Sequence, residues 1–217
     1  SLFTGSNYTA DNFVPSQFDA DITNSRNNSI SLNIFNINVS ASTGIIRFIS
    51  NSRNNTLYSN RFITNESNTP AIQIGSANNS IIENIIQTNG SSSHGIDNVA
   101  GGVNTTISGN TINTTGSNGE IGINFGTQDT VINNVISTAN VGIQGGGVTG
   151  FNVTNNTIFI RSGSGNAMIV NGGNGTIAFN SINVTGNNAL SVRLQGSGNI
   201  SFFSNKINSS STSQDAV

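Results

Sequence analysis

One nine-position rhythm recurs along the whole chain: Asn-x-Ser/Thr-apolar-x-x-Asn-x-apolar. Its clearest copies are Asn104, Thr106, Ile107, Asn110, Ile112 and Asn174, Thr176, Ile177, Asn180, Ile182. The second Asn of each copy falls at Asn33, Asn60, Asn84, Asn110, Asn134, Asn156, Asn180 and Asn205, in steps of 22–27 residues. Two apolar columns keep the same register. The first reads Ile30, Leu57, Ile81, Ile107, Val131, Val153, Ile177, Phe202. The second reads Phe35, Phe62, Ile86, Ile112, Ile136, Ile158, Ile182, Ile207. A fixed period of this length is the mark of a solenoid, because one unit cannot bury its own apolar face and must stack on its neighbours.

A looser block precedes each copy: a small residue, an apolar one, a polar one, then often another apolar one. Examples are Gly44-Ile45-Ile46-Arg47-Phe48, Ala71-Ile72-Gln73-Ile74 and Gly122-Ile123-Asn124-Phe125. These segments are short, rich in Ile and alternate with period two, which is a strand signal. No helical stripe is present, and Asn, Gly, Ser and Thr disfavour helix interiors. Parallel strands in adjacent coils lie about 4.7–4.9 Å apart, close enough for the amide of one Asn to reach the next. The reading is therefore all-β: a right-handed parallel β-helix of about eight coils, with the eight-residue Asn column as an internal ladder. Asn also tolerates the left-handed backbone of a sharp bend, so the ladder positions are expected at the corners.

This rhythm, followed by Gly-Ile, resembles the right-handed parallel β-helix repeats of the pectate-lyase-like superfamily. It is most similar to the repeat type of a periplasmic copper-binding accessory protein and of many bacterial and archaeal surface proteins. The resemblance spans about residues 25–210 and concerns the repeat, hence the fold, far more than any activity. Leucine-rich repeats need a Leu-x-x-Leu-x-Leu signature that is missing, and the calcium-binding Gly-Gly-x-Gly-x-Asp nonapeptide is absent too. The organisation expected is a cap over residues 1–24, carrying Phe3, Tyr8, Phe13 and Phe18, then the β-helix over 25–210, then a frayed tail over 211–217. The chain begins at Ser1, which is read as a processed or excised terminus.

Composition narrows the function. Only 7% of residues are charged and the net charge is −2, so there is no basic field for nucleic acid or an anionic membrane. Polarity comes instead from neutral side chains, with 40 Asn residues alone. No apolar run is long enough to span a bilayer. There is no Cys, one His (His94) and one Met (Met168), so the copper site of the similar accessory protein has no ligand set here. No cofactor or metal is expected. His94 is read as a residue of a surface loop.

Catalysis on a polysaccharide needs a carboxylate pair set a few ångströms apart. The nine acids are Asp11, Asp19, Asp21, Glu66, Glu83, Asp97, Glu120, Asp129 and Asp215, scattered at about one per coil. The clusters that the resemblance implies for polygalacturonase or pectate lyase activity are missing. One stripe remains as a candidate binding face: Arg47, Gln73, Asp97, Asn124, Gln144, Ile169 and Arg193, the outward positions of the Gly-Ile strand. Its polar members can hydrogen-bond a sugar chain, although any solvated strand face needs polar residues. Asn-x-Ser/Thr triplets at Asn27, Asn54, Asn78, Asn104, Asn174 and Asn199 match the N-glycosylation acceptor, but the coil itself generates that pattern.

The expectation is a non-catalytic, secreted or cell-surface rod: an adhesin passenger, a fibre or a sheath component. Its expected partners are a glycan or a host or cell-surface protein, with self-assembly through stacked ends. A carbohydrate-binding or carbohydrate-degrading β-helix is the alternative, and an ice-binding surface the second alternative.

Overall fold

The computed structural model describes residues 2–4, 7–10, 20–37, 44–98, 102–116, 118–161, 165–185, 189–196 and 198–210. Phe13, Phe18, Asp11, Asp19, Asp215 and the segment 211–217 lie outside them. The described residues form an all-β parallel solenoid in which every strand pairs with the equivalent strand one coil away. The pairing steps match the repeat: Ile81 sits between Leu57 and Ile107, and Ile86 between Phe62 and Ile112. The eight ladder asparagines bound seven intervals, so the stack has about seven turns, slightly fewer than the eight expected. At the strand spacing this gives a stack about 34 Å long.

Each coil supplies three short strands, but they build two sheets, one of 15 strands and one of nine. The Gly-Ile strand and the Ser/Thr-apolar strand belong to the same sheet, because they fuse in two late coils into the long strands Val141–Thr154 and Asn166–Ala178. The N-terminal segment also supplies strands: Leu2–Thr4 pairs with Ser29–Ser31, Asn7–Ala10 with Ile34–Ile37, and Ala20–Thr23 with Ile46–Ile49.

Three stacked apolar columns run the length of the core, beside a less regular one that includes Phe48, Ile74, Phe125 and Val170. The two read from the repeat are inward and almost fully buried along the middle of the stack. The third is Ile46, Ile72, Ile96, Ile123, Ile143, Met168 and Val192, so the single Met is a core residue. The small residue before this column has a steric reason. A Cβ on Gly122 would lie 2.7 Å from the Gly142 carbonyl oxygen and 2.5 Å from the Ile136 side chain. Phe35 and Phe62 stack face to face in neighbouring coils, with ring centroids 5.0 Å apart.

The Asn ladder is formed as the spacing predicts. Asn84 illustrates one rung. Its Nδ2 donates to Asn110 Oδ1 at 3.1 Å and to the Leu57 and Ile82 carbonyls, while its backbone N–H donates to the same Oδ1 at 2.9 Å. The pattern runs from Asn33 to Asn205, and every member up to Asn180 is at most 1% exposed. The left-handed backbone is not on these residues, however. It falls on the residue before each, at Leu32, Ser59, Glu83, Gly109, Asn133, Asn155, Phe179 and Ser204. The ladder Asn closes the bend with its side chain, and its neighbour makes the bend.

Candidate functional site

The outward stripe is assembled in register. Arg47, Gln73, Asp97, Asn124, Gln144, Ile169 and Arg193 are consecutive Cα partners along one sheet, with Asp21 joining ahead of Arg47. The members do not act alike. Arg47 donates from Nε and Nη2 to the two carboxylate oxygens of Asp21, each at 2.7 Å. Asn124 donates from Nδ2 to Asp97 Oδ1 at 2.8 Å. Ile169 interrupts the polar row before Arg193, which is exposed.

Two members of the stripe, Asn124 and Gln144, come together at a groove of about 510 Å³. Asn98, Thr127, Gly146, Gly147 and Val148 also line it. Arg47, Gln73, Asp97 and Arg193 lie outside it. The groove has a local cause. Between Gly146 and Val148 the register with the next coil shifts, since Gly146 faces Asn171 and Val148 faces Gly172. Gly147 is the extra residue of a β-bulge, with φ +67°, a conformation that costs glycine little. No atom lies within 4 Å of where a Cβ on Gly146 or Gly147 would be, so that wall is bare backbone.

Beneath the groove lies a second internal column that the repeat analysis did not find. It consists of the residue just before the Ser/Thr of the repeat in five successive coils: Asn28, Asn55, Asn79, Thr105 and Asp129. Asn28 and Asn55 donate their backbone N–H groups to Asn55 Oδ1 and Asn79 Oδ1, both at 3.1 Å. Asp129 ends the polar run. Its Oδ1 accepts from Thr105 N at 2.8 Å, and its Oδ2 from Gly126 N at 2.7 Å and Asn98 Nδ2 at 2.5 Å. Burial pushes this carboxyl up to about 6, against the pull of its three donors. Asn98 Oδ1 is buried without a hydrogen-bond partner among the described residues. The outer Asn of each triplet, at Asn27, Asn54, Asn78, Asn104 and Asn174, is exposed and left-handed, so it forms the other bend of the coil. The signal that could have revealed the inner column was the run Asn28, Asn55, Asn79; the bulge was written in Gly145-Gly146-Gly147.

Glu120 and His94 also hold the scaffold. Glu120 is fully buried, and its Oε1 accepts from Asn118 N at 2.7 Å and Ser92 N at 3.3 Å. His94 is half-buried rather than a free surface residue. Its Nδ1 accepts from Ile121 N at 3.1 Å, which fixes the neutral ring with its proton on Nε2. Burial lowers its pKa, and the charges of Asp97 and Glu120 partly oppose that. Among the described residues, no three His, Cys, Asp or Glu side chains gather as a metal-binding group. Among the described residues, no helix is long and apolar enough to cross a membrane. No family model matches the chain, and no curated protein or solved structure matches it.

Proposed function

We propose that the chain is a non-catalytic structural or adhesive rod of the cell exterior, built from right-handed β-helix repeats of the pectate-lyase-like kind. One observation carries this reading: four of the six acids among the described residues are engaged in holding the stack. Asp129 and Glu120 are buried and accept backbone N–H groups at turns, Asp21 clamps Arg47, and Asp97 orients Asn124. An acid fixed by such bonds is poorly placed to move a proton to or from a substrate. The surface is polar through amides and hydroxyls rather than charges, which suits a static surface facing a glycan, a cell-surface protein or another copy of the chain. The test is incubation with a panel of plant, bacterial and animal polysaccharides, reading new reducing ends and unsaturated products. The expected result is no turnover on any of them; turnover that follows the intact chain through purification would overturn the reading.

A further inference from the structure

Going beyond a passive rod, we propose that the groove at the Gly147 bulge is a binding site for an uncharged sugar unit. The argument starts from what the groove presents. Asn124 has its Nδ2 committed to Asp97, so its Oδ1 is left as an acceptor facing outward. Gln144, next to it in register, makes no hydrogen bond with a described residue and offers both a donor and an acceptor. Thr127 adds a hydroxyl to the lining. Gly147 has no Cα partner in the next coil, so the bulge turns its peptide groups out of the ladder. Val103 supplies apolar surface, while the Val148 side chain turns into the core.

This combination selects a class of ligand. A sugar ring carries hydroxyls that both donate and accept, around C–H faces that pack on apolar side chains. Among the described residues, no charged side chain lines the groove, so a uronate or phosphate has no cation to meet it, and desolvating its charge would go uncompensated. A cationic ligand likewise has no carboxylate, because Asp129 lies buried beneath and is already occupied by three donors. The bare glycine wall lets a ring approach the backbone closely. The volume, about 510 Å³, falls within the range of small-molecule sites.

The test is calorimetric titration of the intact chain with hexaoses of glucose, mannose and xylose in their common linkages, and with hexagalacturonate. At least one neutral hexaose is expected to bind, with hexagalacturonate weaker. Gln144→Ala should weaken that binding by about tenfold, the loss of one or two hydrogen bonds. Gly146→Phe, placed where a Cβ meets no other atom, should abolish it while leaving the melting curve unchanged. Arg193→Ala, outside the groove, should bind as the parent does. The proposal is overturned if no neutral hexaose binds at about 1 mM, if only hexagalacturonate binds, or if Gly146→Phe binds as well as the parent.

Discussion

Asp129 occupies the place in its coil that Asn79 occupies two coils earlier, and both side chains accept the backbone N–H of the preceding coil. Asn79 does so at 3.1 Å as a neutral amide, Asp129 at 2.8 Å as a carboxyl group that burial makes harder to ionise. One backbone position can thus be filled by either group, with different consequences for pH.

The first prediction follows from that difference. The ordinary carboxyl value of 3.8 is raised to about 6 in the folded chain, so folding favours the protonated form. The resulting stability is fully present below about pH 4 and is lost as pH rises through about 6. Asp129→Asn removes this dependence. Turning the Asn98 amide over lets its Oδ1 accept from the new Nδ2, but the Gly126 N–H then loses its acceptor, a loss that does not depend on pH and leaves the pH trend intact. The free energy of unfolding, variant minus parent, is expected to rise by on the order of 2 to 3 kcal/mol between pH 4 and 7. Urea titrations at several pH values measure it, and the opposite contribution of His94 cancels in the difference.

The two kinds of Asn should respond unequally. Asn110→Ala removes the acceptor for two donors of Asn84 and the donors to the Ile81 carbonyl and Asn134, all buried. A loss of about 2–4 kcal/mol is expected, since buried partners are left unpaired. Asn104→Ala removes only an exposed bond from its Nδ2 to Asn78 Oδ1 at 2.9 Å. Its left-handed backbone adds a modest penalty, and a loss of about 1 kcal/mol is expected.

How much of this was legible in the sequence can be seen by comparing two columns. Asn33 to Asn205 was legible because the same residue recurs eight times between two apolar columns. The inner column beside it was not, because its members change from Asn28 to Thr105 to Asp129 and then to Phe151, and its side-chain hydrogen bonds break at Thr105. The stripe from Arg47 to Arg193 was legible because side-chain direction alternates strictly along a strand. That only Asn124 and Gln144 among its polar members share a groove was not, since the groove depends on a one-residue register shift at Gly147. The left-handed bends were placed one residue late, on the ladder Asn, because side-chain preference names the residue type and not which of two neighbours turns.

Glycine substitutions separate packing from turn geometry. At Gly122 a new side chain meets the Gly142 carbonyl and Ile136, so Gly122→Val should cost about 2–3 kcal/mol or prevent folding. Gly146→Val meets open space and should change the melting temperature little. Thermal melts of the two variants, made side by side, check this.

The Asp21–Arg47 pair tests the weight of surface charge. It is bidentate, yet the Asp21 side chain is about one-third exposed. Arg47→Ala should therefore lower stability by about 0.5 kcal/mol, with less effect at high salt.

The central claim is that a continuous buried amide ladder holds the coils in register. Native-state hydrogen exchange by NMR tests it most directly. The backbone N–H groups of Asn60, Asn84, Asn110, Asn134 and Asn156 each donate to the side-chain Oδ1 of the next ladder residue at 2.9–3.0 Å. These five amides are predicted to be among the slowest in the chain and to exchange only with global unfolding. Exchange at the rate of exposed corner amides would contradict the ladder, and with it the account of how this sequence holds its fold.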